Sequence, residues 1–204
     1  TQGKSYIQLG EYLEGVTQLK TAIRLKPNES LYHDELAETY AKIAAEFAQI
    51  KEPEAAQEFA QKAVNQTNQA IRLNPVHLNF YQTRYRVFSH LSVINDQYLQ
   101  EAEDALVAAQ TLAPTHPRLV YNQALINLAQ EEQAAAINQL TKAVEMKPNY
   151  IKARYKLAQL YQEQDKNELA KDQYQQILKL VPSDENVRQR LKNLEQKAEN
   201  NDSN

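Results

Sequence analysis

The sequence predicts an all-α solenoid of antiparallel helix–turn–helix units, and three observations carry that reading. The first is composition: 204 residues hold only 3 Gly, which excludes sandwiches, barrels and phosphate-cradling loops that need positive φ at many turns. The second is punctuation. Five helical segments close on proline in the same way: AIRLKP at Pro27, AIRLNP at Pro75, AAQTLAP at Pro114, AVEMKP at Pro148 and ILKLVP at Pro182. The third is spacing, since successive prolines stand 48, 39, 34 and 34 residues apart.

Small and large residues recur in step with those prolines. Twelve, eight and five residues before them stand Gly15, Leu19 and Ala22; Ala102, Leu106 and Ala109; Ala136, Leu140 and Ala143; and Ala170, Tyr174 and Ile177. Two helices approach closely where one offers a small side chain, and the large residue a turn later fills the space beside it. Preceding helices carry Leu36 and Ala37 with Tyr40, and Leu157 and Ala158 with Tyr161. A helix–turn–helix of 34 residues that ends in proline resembles the tetratricopeptide repeat family, here over residues 3–182. That resemblance implies a right-handed α-solenoid.

Residues 1–199 read as one solenoid domain. Residues 1–28 form a truncated repeat, in which Gly3 and Tyr6 fit a first helix whose opening residues are absent. Residues 29–76 form an elongated repeat, two heptads longer than the 34-residue unit. Its first helix places Leu36, Tyr40, Ile43, Phe47 and Ile50 at alternating steps of four and three, and its second places Ala56, Ala60, Ala63, Thr67 and Ala70 likewise. Each helix gains two turns, so the pair zips along one seam. The turn falls at residues 51–54, where Pro53 suits the first turn of the next helix.

Further repeats occupy residues 77–115, 116–149 and 150–183. Ser183 is the expected N-cap of a capping helix over 184–199, lined on one face by Val187, Leu191, Leu194 and Ala198. The opposite face, with Arg188, Gln189, Lys192, Glu195 and Gln196, is the polar exterior that a terminal cap requires. Residues 200–204 are expected to fray as a disordered tail.

The elongated hairpin is followed by NPVHLNFYQTRYRVFSHLS, LAPTHPRLVYNQALINL and KPNYIKARYKLAQLY. Over residues 22–195 this order is similar to the C-terminal region of bacterial O-antigen ligase/polymerase-like membrane proteins. The resemblance implies a domain held at a membrane; without it, a cytoplasmic adaptor or co-chaperone is the alternative. None of that family's membrane-embedded catalytic residues lies here, so no activity carries over.

Charge and chemistry narrow the function classes. With 23 Lys+Arg against 26 Asp+Glu the formal net charge is −3, and no segment is basic enough to attract nucleic acid. No apolar run approaches the ~20 residues that cross a bilayer, so no direct membrane insertion is expected. The absence of cysteine removes disulfides and thiolate sites. His33, His77, His90 and His116 lack the spacing of metal ligands or of a triad and are expected on the surface or in a groove. Phosphate-loop, zinc-helix and nucleophile-elbow motifs are absent, so no cofactor, metal or catalytic residue is expected, and the chain is expected not to be an enzyme. Asn28-Glu-Ser30 and Asn65-Gln-Thr67 match the glycosylation pattern by chance.

In the tetratricopeptide repeat family, first helices line a groove through their second, fifth, sixth, ninth and twelfth positions. With Tyr81, Val120 and Arg154 as fourth positions, the resemblance marks Asn79, Gln82 and Arg86, with His90 a turn beyond. It marks Arg118, Tyr121, Asn122 and Leu125 on the next first helix, and Lys152, Tyr155, Lys156 and Gln159 on the last. Asp34 and Glu38 make the same face acidic in the elongated repeat. The set describes a basic, tyrosine-lined groove over residues 79–159 for a protein or peptide ligand, acidic or presenting its C-terminus. Asn122, Lys152 and Lys156 resemble part of the carboxylate clamp of chaperone-binding repeats, whereas Gln82 and Arg86 depart from it. Alternatives stand beside each reading. Tyr121 and Tyr155 also suit packing between repeats, and Arg86, Arg118 and Lys152 suit a solvated helix face. Phe47 and Phe59 near the hairpin tip suit the seam or, in the alternative, a docking patch through which copies of the chain oligomerise.

Overall fold

A computed structural model describes the backbone of residues 2–202 and the side chains of residues 8–196. Among the described residues every regular element is an α-helix, as the composition and period require. The chain forms two compact units, Thr1–Pro114 and Thr115–Asn204. The first holds α1 (Gln2–Leu25), α2 (Ser30–Gln49), α3 (Pro53–Leu73), α4 (Leu78–Leu91) and α5 (Gln97–Leu112). The second holds α6 (Pro117–Ala129), α7 (Gln133–Met146), α8 (Ile151–Glu163), α9 (Asn167–Leu180) and α10 (Glu185–Asp202).

In the first unit α1 packs on α2, α2 on α3 and α4, and α4 on α5. The elongated hairpin forms as its seam predicts: Leu36, Tyr40 and Ile43 of α2, with Ile50 at its C-cap, are buried beside Ala56, Ala60, Ala63, Thr67 and Ala70 of α3. Pro53 takes the first position of α3, where its missing N–H removes no bond. Phe47 stacks on Phe59 with ring centroids 5.5 Å apart, and Phe59 also meets Tyr40 at 5.7 Å, so these rings close the seam.

Residues 1–28, which the sequence marks as a truncated repeat, carry one uninterrupted helix, α1, with no turn between Tyr6 and Gly15. A Cβ built on Gly10 or Gly15 would meet no atom within 4 Å, so no helix lies against the small position at Gly15. Without a partner surface to reward a turn, and with no proline between Tyr6 and Gly15, helix propagation continues through the segment. Gly3 and Tyr6, on which the expectation rested, precede the residues whose side chains are described. At the other end α10 reaches Asp202, and residues 203–204 of the expected tail lie outside the description.

In the second unit α6 packs on α7, α7 on α8, α8 on α9 and α9 on α10. One cluster joins Val120, Ala124, Ala136, Leu140, Ala143, Ala153, Leu157 and Leu160. A second joins Ala158, Ala170, Tyr174, Ile177, Val187 and Leu194. The small column is therefore at the helix contacts, with Ala102, Ala136 and Ala170 fully buried.

Two kinds of turn repeat along the chain. Within the α2–α3, α6–α7 and α8–α9 hairpins, Lys51, Glu131 and Asp165 adopt φ of 63°, 63° and 56°. The next N–H returns to a carbonyl of the preceding helix: Glu52 to Phe47 at 3.0 Å, Glu132 to Asn127 at 2.7 Å and Lys166 to Tyr161 at 2.9 Å. These are Schellman endings with the left-handed position held by residues other than glycine. Glycine poverty thus excludes folds with many such positions, but not single helix ends.

Between hairpins, the N-cap stands two residues after the proline: Glu29, His77, His116 and Tyr150. The same rule selects Asp184 rather than Ser183 for α10, and its Oδ1 accepts the N–H of Val187 at 3.0 Å. Ser183 falls one residue too early, inside the turn. The proline carbonyl is the second fixed point. It accepts from the side chain six residues on: His33 Nε2 to Pro27 at 2.9 Å, Tyr81 Oη to Pro75 at 2.8 Å, Arg154 Nε to Pro148 at 2.7 Å, and Arg188 to Pro182. After Pro114 the corresponding residue is Val120, which has no donor and is buried in its own helix cluster.

Candidate functional site

The expected site residues fall in both units, four on α4 and eight on α6 and α8, and each group is described in its own unit. On α4, Asn79 is exposed, Arg86 and His90 are half-buried, and Gln82 is only 3% exposed. Gln82 therefore belongs to the interior, although its spacing matches the exposed positions. Arg86 faces α2: its Nε and Nη2 donate to Glu38 Oε2 at 3.1 and 2.7 Å, and Nη2 also reaches Thr83 Oγ1 at 2.9 Å. Thr83 in turn donates to Asp34 Oδ2 at 2.8 Å, and Lys42 pairs with Glu38 at 3.1 Å.

Burial and these contacts pull the two carboxyl groups in opposite directions, and a different one prevails at each. Burial raises the Asp34 carboxyl to about 6 against the pull of Thr83 and Arg86, and its Oδ1 is buried with no hydrogen-bond partner. Burial acts on Glu38 the same way, but hydrogen bonds and charge from Arg86 and Lys42 outweigh it and hold that carboxyl below its usual range. His90 is pushed down by burial, with Lys42 and Arg86 adding to the effect. The α2–α4 face is thus a charge network closed within the chain, and Arg86 is committed to Glu38.

On α6, Arg118 is exposed and Tyr121, Asn122 and Leu125 are half-buried; on α8, Lys152 is exposed and Tyr155, Lys156 and Gln159 are half-buried. Tyr121 packs on Tyr150 at 5.2 Å between ring centroids, and burial raises its phenol above the usual range. Tyr155 meets Tyr174 edge-on at 6.0 Å, and its hydroxyl donates to Asn186 Oδ1 at 3.3 Å. Both tyrosines therefore pack against neighbouring helices and still present part of their surface. Neither Lys152 nor Lys156 forms an ion pair among the described residues. Lys156 borders a cleft of about 550 Å³ whose rim carries Glu131 and Glu163. Arg118 lies beside His116, Lys147 and Tyr150 in a second cleft of about 350 Å³.

Several residues take roles that their spacing alone does not assign. Thr83 joins Asp34 to Arg86; it occupies the sixth position of its helix, a place the resemblance already marks. His33, Tyr81, Arg154 and Arg188 clip the turns, and their constant distance from proline is a signal in the sequence itself. His33 is buried and bridges Pro27 and Gln66, so it is an internal residue rather than a surface one. Thr67 is fully buried on α3, which removes Asn65-Gln-Thr67 as a glycosylation acceptor in the folded chain. Among the described residues no group of His, Asp and Glu could hold a metal ion, and no helix is long and apolar enough to cross a membrane.

Comparison with known proteins agrees with this architecture. Residues 127–194 match one family model described as tetratricopeptide repeat, and residues 1–29 match a second of the same description. A thermophilic protein of these repeats from Thermus thermophilus superposes with TM-score 0.61 at 18% identity, covering 95% of this chain and 98% of that one. PilF of Pseudomonas aeruginosa gives 0.55 at 20% identity, covering 87% and 72%. MamA of Desulfovibrio magneticus gives 0.54 at 21% identity, covering 88% and 90%. At these identities the likeness is one of fold. No curated protein matches the sequence.

Proposed function

We propose that the chain, whose residues 1–29 and 127–194 match tetratricopeptide repeat models, is a non-catalytic interaction scaffold. Its ligand on this reading is an acidic segment or C-terminus of a partner protein, bound on the α6–α8 face of the second unit. The observation that carries the reading is the pair Lys152 and Lys156. They lie one turn apart on α8, flank Tyr155, and have no carboxylate of their own chain as partner among the described residues. A carboxylate brought by a ligand would find two ammonium groups that are not engaged in ion pairs, beside an aromatic surface of low conformational entropy, with Glu131 and Glu163 bordering the cleft that Lys156 lines. Asn122 on α6 adds an amide donor and acceptor. Of the α4 residues, Asn79 and His90 offer some surface to a ligand, whereas Arg86 would first have to release Glu38.

The test is fluorescence anisotropy with acidic peptides whose C-terminus is free or amidated, titrated with wild-type protein and with Lys152→Glu/Lys156→Glu. The expected result is a loss of about tenfold or more in affinity, about 1.4 kcal/mol, in the variant. Equal binding by both proteins would remove α8 from the site, and indifference to amidation would restrict recognition to acidic side chains. The biological setting we propose is the C-terminal region of an O-antigen ligase/polymerase-like membrane protein. An upstream reading frame encoding several apolar segments of about 20 residues would support that parent, and a short hydrophilic one would favour a free-standing adaptor.

A further inference from the structure

The period of the chain does not stop at Pro182. Adding 34 residues to Lys152, Lys156 and Gln159 gives Asn186, Arg190 and Asn193 on α10, and adding 34 to Tyr155 gives Gln189. The structure joins the two sets physically. Tyr155 Oη and Arg190 Nε both donate to Asn186 Oδ1, at 3.3 and 3.0 Å, and the Arg190 guanidinium lies 5.3 Å from the centre of the Tyr155 ring. Asn186, Gln189, Arg190 and Asn193 line an open cleft of about 330 Å³. Gln189 and Asn193 hydrogen-bond each other at 2.8 Å, which leaves amide capacity on both for a further partner.

Charge sets this face apart from the rest of α10. None of the α6, α8 and α10 positions in register with Arg118, Tyr121, Asn122 and Leu125 is Asp or Glu, in a chain whose net charge is −3. Arg190, like Lys152 and Lys156, forms no ion pair among the described residues, whereas Arg188 on the neighbouring side of α10 pairs with Glu185. The cation of Lys156 is thus repeated one period later at Arg190, with the neutral amide of Asn186 at the place of Lys152.

We propose that α10 is the last segment of the binding face, with Arg190 taking a carboxylate of an extended acidic segment of a partner protein. The amides of Asn186, Gln189 and Asn193 serve its backbone. The inference rests on the acidic-ligand reading of α8 above and extends it by one helix.

The experiment uses the full chain and a fluorescein-labelled poly-glutamate peptide, with poly-lysine as the control probe. Arg190→Glu is compared with Lys192→Glu, which makes the same change of net charge on an exposed position elsewhere on α10. The expected result is about a tenfold loss of affinity for Arg190→Glu and no change for Lys192→Glu. Equal affinity of the two variants, with loss only in Lys152→Glu/Lys156→Glu, would overturn the role of α10 and leave the α8 reading standing. Failure of wild-type protein to bind poly-glutamate, or binding untouched by every variant, would overturn both. If circular dichroism shows that Arg190→Glu loosens α10 through Tyr155, the exposed Gln189→Glu and Asn193→Lys decide. They are expected to weaken and strengthen binding respectively, and a shared or absent response would overturn the proposal.

Discussion

Arg86 of α4 grips Glu38 of α2 through two nitrogens on one carboxylate oxygen, at 3.1 and 2.7 Å. The same guanidinium steadies Thr83, whose hydroxyl donates to Asp34. One residue that spacing marks as a ligand-facing cation is thus a strut between two first helices of the first unit. Lys152, Lys156 and Arg190 of the second unit, by contrast, form no ion pair among the described residues. The contrast follows from sequence content: the elongated repeat supplies Asp34 and Glu38 opposite α4, and the later repeats supply no acid at those places.

Stability should depend on pH through Asp34 in an unusual direction. Its folded-state carboxyl titrates near 6 against an ordinary value of 3.8, so the folded chain binds its proton more tightly than the unfolded chain. The contribution is fully present below the unfolded pKa and is lost as pH rises through about 6. Glu38, with a depressed value, acts oppositely: its contribution holds at neutral pH and is lost in acid. Asp34→Asn is expected to raise stability at pH near 7 and to flatten the dependence between about 4 and 6. Urea unfolding at several pH values reads this directly, and an unchanged slope would show that Asp34 titrates normally.

The turn clips predict a second effect. Tyr81→Phe keeps the ring and removes only the hydroxyl that donates to Pro75, 2.8 Å away. A loss of about 0.5–1.5 kcal/mol in unfolding free energy is expected. No loss would mean that water replaces the hydroxyl at no cost.

Thr67 gives a prediction of opposite sign. Its side chain is fully buried in the α2–α3 seam and its hydroxyl has no hydrogen-bond partner. Thr67→Val removes that desolvated group at nearly constant shape, and a gain of about 1 kcal/mol is expected from urea or thermal unfolding. A loss would reveal a buried water serving the hydroxyl.

The left-handed helix ends supply a fourth stability test. Glu131 and Asp165 hold φ of 63° and 56°, a conformation that costs an L-residue about 1–2 kcal/mol. Glu131→Gly and Asp165→Gly should each raise thermal stability, offset in part by the added freedom of the unfolded chain. Destabilisation by both would show that the side chains compensate for the strain.

What was legible beforehand has a clear physical boundary. Proline spacing and the small–large column marked out the hairpins of residues 30–180, because helix contacts depend on residue size at regular intervals. Pro53 and the seam from Leu36 to Ala70 marked the elongated hairpin for the same reason. The α8 lysines were equally legible as positions on one helix face. The repeat motif at the start of the chain was legible too, and residues 1–29 match the family, but its uninterrupted helix was not, because motif positions such as Gly15 describe a contact whose partner helix must exist for the turn to form. Ser183 yielded to Asp184 because a cap is set by turn geometry counted from Pro182, not by residue type alone.

From Ser30 onward the sequence by itself therefore determined which helices exist, how they pair and which residues share a face, since all three follow from local periodicity. Tertiary structure alone decided what each face does. Whether Arg86 waits for a ligand or is held by Glu38, whether Gln82 is outside or inside, and whether Arg190 stands with Tyr155 depend on distances between helices. Those distances arise when separate segments pack, and a one-dimensional pattern carries the register of a side chain but not the identity of what faces it.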